Sequence, residues 1–230
     1  MKKKLLILAV AFAMVFVFSA CGSDKNGGDD AKNDLSDSKS ESNDIKFTTT
    51  DWKSMEFAIN GNIVSLPMQF SDLEEIGFYV NDIDLEIFES ELEPNDTQLL
   101  SLDNKNGKYL TVTFKNNSDQ KKKVKECPIY YVCVYNWEIG STEAPEASDI
   151  VLCNGVGFGT PEEDVCEKMK IELKEEDIFE NSSGALIDGE FVATRCMPFY
   201  EDFENYSGKE VYVITVGGEV RGIEITNPLE

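Results

Sequence analysis

The chain has 230 residues, of which 44 are acidic and 21 basic, giving a net charge of −23, and it contains no histidine. So acidic a surface repels phosphates and anionic headgroups, which disfavours nucleic acid and charge-driven membrane binding alike. The missing imidazole removes the commonest general base, the commonest transition-metal ligand and the usual partner of a nucleophilic serine or cysteine.

Met1 to Lys4 form a short basic head, and Leu5 to Phe18 an unbroken apolar run. The run is shorter than the ~20 residues a spanning helix needs and ends in small residues, so it reads as an export signal. Ser19-Ala20-Cys21-Gly22 resembles the lipobox of bacterial lipoproteins, with Phe18 where that family usually carries leucine. The resemblance implies a diacylglyceryl thioether on Cys21 and cleavage after Ala20. Two acyl chains anchor stably where one does not. The expected location is therefore the extracytoplasmic face of a cell membrane, of the Gram-positive kind, with the membrane as first partner through Cys21. Beyond the signal, 18 basic residues stand against 44 acidic ones, so attachment comes from the lipid.

Residues 21–45 are Ser, Asp, Asn, Lys and Gly with almost nothing apolar. Such a segment buries too little surface to offset its ordering entropy and is expected to be a disordered acidic tether. From Phe47 the pattern changes. Phe57-Ala58-Ile59 and Ile63-Val64-Ser65-Leu66 flank Asn60-Gly61, a hairpin about a type I′ turn. Ser71-Asp72-Leu73-Glu74 predicts a capped helix start, closed at Gly77. Ile83, Leu85, Ile87, Leu99, Leu100 and Leu102 are expected core contacts. Leu110, Val112 and Phe114 alternate with Tyr109, Thr111 and Thr113, a half-buried strand. Cys127 to Tyr135 is apolar on both faces, as a central strand would be.

Residues 139–149 read as a linker between a first half, 46–138, and a second, 150–230. Ile150 to Cys153 is a predicted strand, and Thr160-Pro161-Glu162-Glu163 a second helix start with threonine as cap and proline next. Val165, Cys166 and Met169 make its buried stripe. Asp188-Gly189 and Gly217-Gly218 mark two more hairpins. Asn106-Gly107-Lys108 and Ser207-Gly208-Lys209 occupy similar places before strands, which suggests an internal duplication. The expected fold class is α+β, short helices packed on antiparallel sheet, in two tandem repeats.

Few residues carry chemistry. Gly155, Gly157 and Gly159 precede a helix but lack either nucleotide-binding spacing, and three carboxylates already occupy that helix start, so a tight turn is the better reading. Asn81, Asp82, Asp84 and Glu86 read as a solvated face rather than a calcium site, and no cofactor is expected. Lys121, Lys122, Lys123 and Lys125 form the one basic cluster of the folded part. Cys127, Cys133, Cys153, Cys166 and Cys196 are odd in number and cannot all pair; either most are free buried thiols, or there is at least one bridge, with two the most that five allow. Tyr130, Tyr131, Tyr135 and Trp137 form a dense aromatic group, the candidate partner contacts, because tyrosine and tryptophan often anchor interfaces.

The run Gly155 to Val165 is similar to the helix entry of small envelope lipoproteins of the SmpA/OmlA type and of tandem-repeat beta-lactamase-inhibitor-like proteins. That likeness implies helix-on-antiparallel-sheet repeats with an open sheet face for protein binding, and no catalytic residues. The expected function is a non-catalytic binding or envelope-interaction module for an envelope protein or cell-wall component. A transporter's solute receptor and a carboxylate-based hydrolase are the alternatives.

Overall fold

Turn chemistry sets the first element. Asn60 and Gly61 both take positive φ, 48° and 82°, which a type I′ turn demands. They join β1 (Glu56–Ile59) to β2 (Asn62–Ser65) in the computed structural model, which describes residues 45–136, 146–187, 190–202 and 207–229. Next come α1 (Phe70–Glu75), β3 (Phe78–Val80), α2 (Leu85–Phe88), β4 (Glu91–Leu92), β5 (Thr97–Asn104), β6 (Lys108–Lys115), β7 (Lys122–Lys123) and β8 (Ile129–Tyr135). After these lie β9 (Glu146–Ala147), β10 (Ile150–Leu152), α3 (Glu162–Met169), β11 (Phe179–Ile187), β12 (Glu190–Asp202), β13 (Ser207–Val216) and β14 (Glu219–Thr226). The fold is thus mostly antiparallel sheet carrying short helices.

One nine-stranded sheet dominates, in the order β11-β12-β13-β14-β8-β6-β5-β3, with β9 added in parallel to β6. Its outer strands on one side follow α1 and run inward to β8. Those on the other side follow α3 and run inward to β14. The two inner strands pair antiparallel, with Val134 opposite Ile223 and Val132 opposite Ile225. A small sheet, β10-β1-β2, adds a second link, since β1 belongs to the first half of the chain and β10 to the second.

Strand alternation divides the large sheet into two faces. Leu100, Leu102, Leu110, Val112, Phe114, Val132, Val134, Met197, Phe199, Val211, Val213, Ile223 and Ile225 point to the first face and join one buried cluster. Leu73 of α1, Phe88 of α2, Val165 and Met169 of α3, and Phe57 and Ile59 of β1 pack into the same cluster. Every described helix and both small sheets therefore lie on that face.

Several expectations need correction. The first helix starts at Phe70, not after Ser71; Gln69 is its cap, and Asp72 accepts from the Gln69 amide at 2.8 Å. Asp72 is three residues beyond that cap, so it makes the back-bonding half of a capping box, while its own amide donates to the Gln69 carbonyl at 3.1 Å. At the second helix Pro161 is the cap, because the Thr160 hydroxyl instead accepts from the Gly157 amide at 3.1 Å. Ile83, Leu85, Ile87 and Leu99 are exposed, Ile83 by 87%. Ile83 lies in the turn before α2, a helix of one turn that buries only Phe88, and Leu99 points away from the core face. The expected linker is partly structured: Ala147 and Ser148 are buried and β9 pairs with β6. Residues 137–145 and the turn residues 188–189 lie outside the described residues.

One polar clamp ties α3 to the sheet. Glu162, in the helix's first turn, takes the Arg195 guanidinium of β12 and accepts from the Thr215 hydroxyl of β13 at 2.5 Å. Arg195 also reaches Glu175 at 2.6 Å. Replacing Glu162 with Ala would leave Arg195 with one, more exposed, partner. The variant is expected to lose about 2 kcal/mol in urea unfolding, with an unchanged m-value; a midpoint equal to that of the parent chain would show the clamp to be inert.

Candidate functional site

The second face of the large sheet carries none of the described helices. Register places Tyr131, Cys133 and Tyr135 of β8 on it, opposite Thr226, Glu224 and Gly222 of β14. Glu224 in turn faces Tyr212 of β13, and Glu210 faces Tyr200 of β12. Farther out lie Tyr79 and Leu99 on one side and Phe179 on the other, each about half exposed at 45%, 56% and 55%. Cys133, Ile214, Val216 and Tyr200 of this face are buried, yet none belongs to the core cluster.

Glu224 is the centre of the arrangement. Its Oε2 accepts from the Tyr131 hydroxyl at 2.9 Å and its Oε1 from the Tyr135 hydroxyl. Tyr135 can sit there because Gly222 has no side chain. A Cβ at Gly222 would meet the Tyr135 ring at 2.8 Å and Ile214 at 3.2 Å. One strand outward, the Tyr200 and Tyr212 hydroxyls share a hydrogen bond of 2.7 Å, with their rings edge to face at 5.8 Å, a favoured aromatic geometry. Behind this group, the Tyr109 hydroxyl donates to the Tyr135 carbonyl at 2.6 Å.

The acid–base character follows from burial. Burial pushes the Cys133 thiol up to about 11 and the Cys196 thiol up to about 12. It also raises the Tyr131, Tyr135 and Tyr212 phenols well above their ordinary range. Glu210 is raised by burial first and by the Glu224 charge second. The two thiols are therefore protonated at neutral pH, and a protonated thiol is a poor nucleophile and a poor metal ligand. All five described cysteines are free, which resolves the open question of pairing toward separate thiols, with Cys127, Cys133 and Cys153 buried and Cys166 and Cys196 partly buried.

The candidate contacts separate by position. Tyr131 and Tyr135 lie on the helix-free face. Tyr130 is the extra residue of a bulge in β8 opposite β6, and its ring lies 5.8 Å from the Lys115 ammonium. Trp137 falls outside the described residues. Glu210, Glu224, Tyr200 and Tyr212 were not singled out by sequence reasoning. Their signal was present in the alternation of Glu210, Tyr212 and Ile214 with Val211 and Val213, but its meaning depends on knowing which face is covered.

The remaining motifs have structural roles. Gly155 and Gly159 take φ of 83° and 78°, and a Cβ on Gly157 would lie 2.9 Å from the Ile150 carbonyl, so the glycines serve a tight strand-to-helix turn. Asn81 caps the turn into α2 by accepting from the Asp84 amide at 3.0 Å. Lys123 and Lys125 both pair with Glu89, at 3.1 and 2.6 Å, and Lys121 pairs with Glu93. Lys125 and then Lys123 pull the Glu89 carboxyl below its usual range. No described protein family, curated protein or solved structure matches the chain.

A raised thiol has a definite consequence for stability. Cys133 ionises near its ordinary 9.0 when unfolded and at about 11 when folded. Its contribution is complete below pH 9 and is lost as pH climbs through 11, because only the unfolded chain gains the charge early. Melting temperature is thus expected to fall over that window, and Cys133→Ala to flatten the fall. An identical slope in the variant would contradict the burial argument.

Proposed function

We propose that this chain is a membrane-anchored extracytoplasmic lipoprotein whose folded part is a non-catalytic binding module. The lipid sits on Cys21, residues 21–45 serve as tether, and the partner is an envelope protein or cell-wall component. The observation that carries the reading is the helix-free sheet face, where tyrosines gather around one carboxylate. Such rings supply large rigid contact area with a polar tip, the composition of binding surfaces. The chemistry of the face points the same way. Its thiols are protonated, and its central carboxylate is occupied by two phenol donors rather than set beside a nucleophile.

The module is proposed to be a duplicated unit of one helix followed by a four-stranded antiparallel meander. In this reading α1 leads β3, β5, β6 and β8, and α3 leads β11, β12, β13 and β14. The two glycine motifs noted in the sequence support it. Gly107 and Gly208 both take positive φ; Gly107 lies just before the third strand of its meander and Gly208 is the second residue of the third strand of the other. Pairing of the two fourth strands then relates the halves about the centre of the sheet.

The anchor and the face are tested together. In cells fed a labelled fatty acid, the wild-type chain is expected to take the label and sediment with membranes, and Cys21→Ser to do neither. Label on the serine variant would refute the anchor. Cross-linked capture from intact envelopes that returns no specific partner for the wild-type chain would refute the binding module.

A further inference from the structure

We infer that the helix-free face takes an extended partner segment carrying lysine or arginine side chains two residues apart, with one cation at Glu224 and the next at Glu210. This deepens the binding-module reading and rests on it.

The first ground is charge. Register puts Asp103, Glu210, Glu219 and Glu224 on this face; of the described basic residues Lys115 lies on it, and Arg221, the extra residue of a bulge in β14, is paired with Glu219 at 2.9 Å. The Lys115 ammonium is already occupied, donating to the Leu229 carbonyl at 2.9 Å. Elsewhere the acids Glu89, Glu93, Asp149, Glu162 and Glu175 each hold a Lys or Arg. Among the described acids of this face, Asp103, Glu210 and Glu224 have no such partner, and Glu210 and Glu224 are the two that lie side by side. Two half-buried carboxylates of like charge, with only phenol donors near one of them, have lost part of their solvation without a counter-charge. An incoming cation supplies it.

The second ground is the aromatic lining. Tyr131 and Tyr135 hold the Glu224 oxygens, and Tyr212 stands directly across from Glu224 on the next strand. Rings beside a carboxylate suit an ammonium or guanidinium, which gains from the π face as well as the charge. Among the described residues a cation already sits over a ring in two places, with Lys115 at 5.8 Å from Tyr130 and Lys53 at 5.9 Å from Trp52.

Spacing is the third ground. Glu210 pairs with Thr226 and Glu224 with Tyr212, so the two glutamates are diagonal neighbours on adjacent strands, about 7 Å apart. Side chains at i and i+2 of an extended segment project to one side at nearly the same separation, about 6.7 Å. A helix places its same-side residues three or four apart and matches less well. The surrounding net charge of −23 would draw such a segment in.

Calorimetric titration of the full chain in nonionic detergent, at physiological salt, tests this with a short peptide of alternating Arg and Ser. The wild-type chain is expected to bind it, and Glu224→Gln and Glu210→Gln each to weaken binding by at least about tenfold, the loss of a charge-assisted contact. Glu75→Gln combined with Glu172→Gln, two exposed acids off this face, should leave binding unchanged. A peptide of the same composition with its arginines in one block should bind more weakly. Melting curves identify any variant that fails to fold, and either glutamate variant alone suffices. Equal binding by both glutamate variants and the wild type would overturn the inference, as would an equal loss in the control pair. The parent reading fails separately: a wild-type chain that binds the peptide but captures nothing from envelopes refutes the binding module alone. Capture of the same partner by wild type and both variants refutes the cation rule alone.

Discussion

The architecture depends on the pairing of β8 with β14. Each inner strand completes a meander, and their antiparallel ladder from Tyr131–Thr226 to Tyr135–Gly222 fuses the two into one sheet. Because pairing registers the strands residue by residue, it also decides which side chains meet. Val132 and Val134 meet Ile225 and Ile223 on the covered side, while Cys133 meets Glu224 on the other. A slip of one residue would turn both sets over. The same ladder therefore holds the core together and assembles the tyrosine–glutamate group.

The asymmetry between the faces is the second constraint. Three short helices, α1, α2 and α3, and both small sheets each bury at least one apolar residue on one side. With one covered face, an antiparallel sheet normally reads hydrophobic-in and polar-out. Here the out face is not simply polar. It holds Tyr79, Leu99, Tyr131, Tyr135, Tyr200, Tyr212 and Phe179 around a few acids, and the proposed binding role rests on that composition. Gly222 shows how closely it is built, since any larger residue there would displace the Tyr135 ring.

Local features were legible in the sequence and distant ones were not. The Asn60-Gly61 and Gly217-Gly218 hairpins depend only on φ preferences of adjacent residues, and both are present. The central position of β8 followed from its apolar residues on both faces, and the buried Val165 and Met169 from helical spacing. Ile83, Leu85 and Ile87 misled because hydrophobicity alone does not say whether a one-turn helix can bury them. Glu224 was invisible for a different reason. It is separated from Tyr131 by 93 residues, and nothing local in Ile223-Glu224-Ile225 distinguishes it from any exposed strand acid. Its role exists only once β14 is set against β8.

The central claim, that the helix-free face is the surface which binds, is tested most directly by site-specific photo-crosslinking in intact cells. A photoreactive residue at Leu99 or Tyr79, on the helix-free face, should give an adduct with an envelope partner. The same residue at Glu75 on α1 or Glu167 on α3 should give none. Adducts from the helix positions with none from Leu99 and Tyr79 would contradict the account.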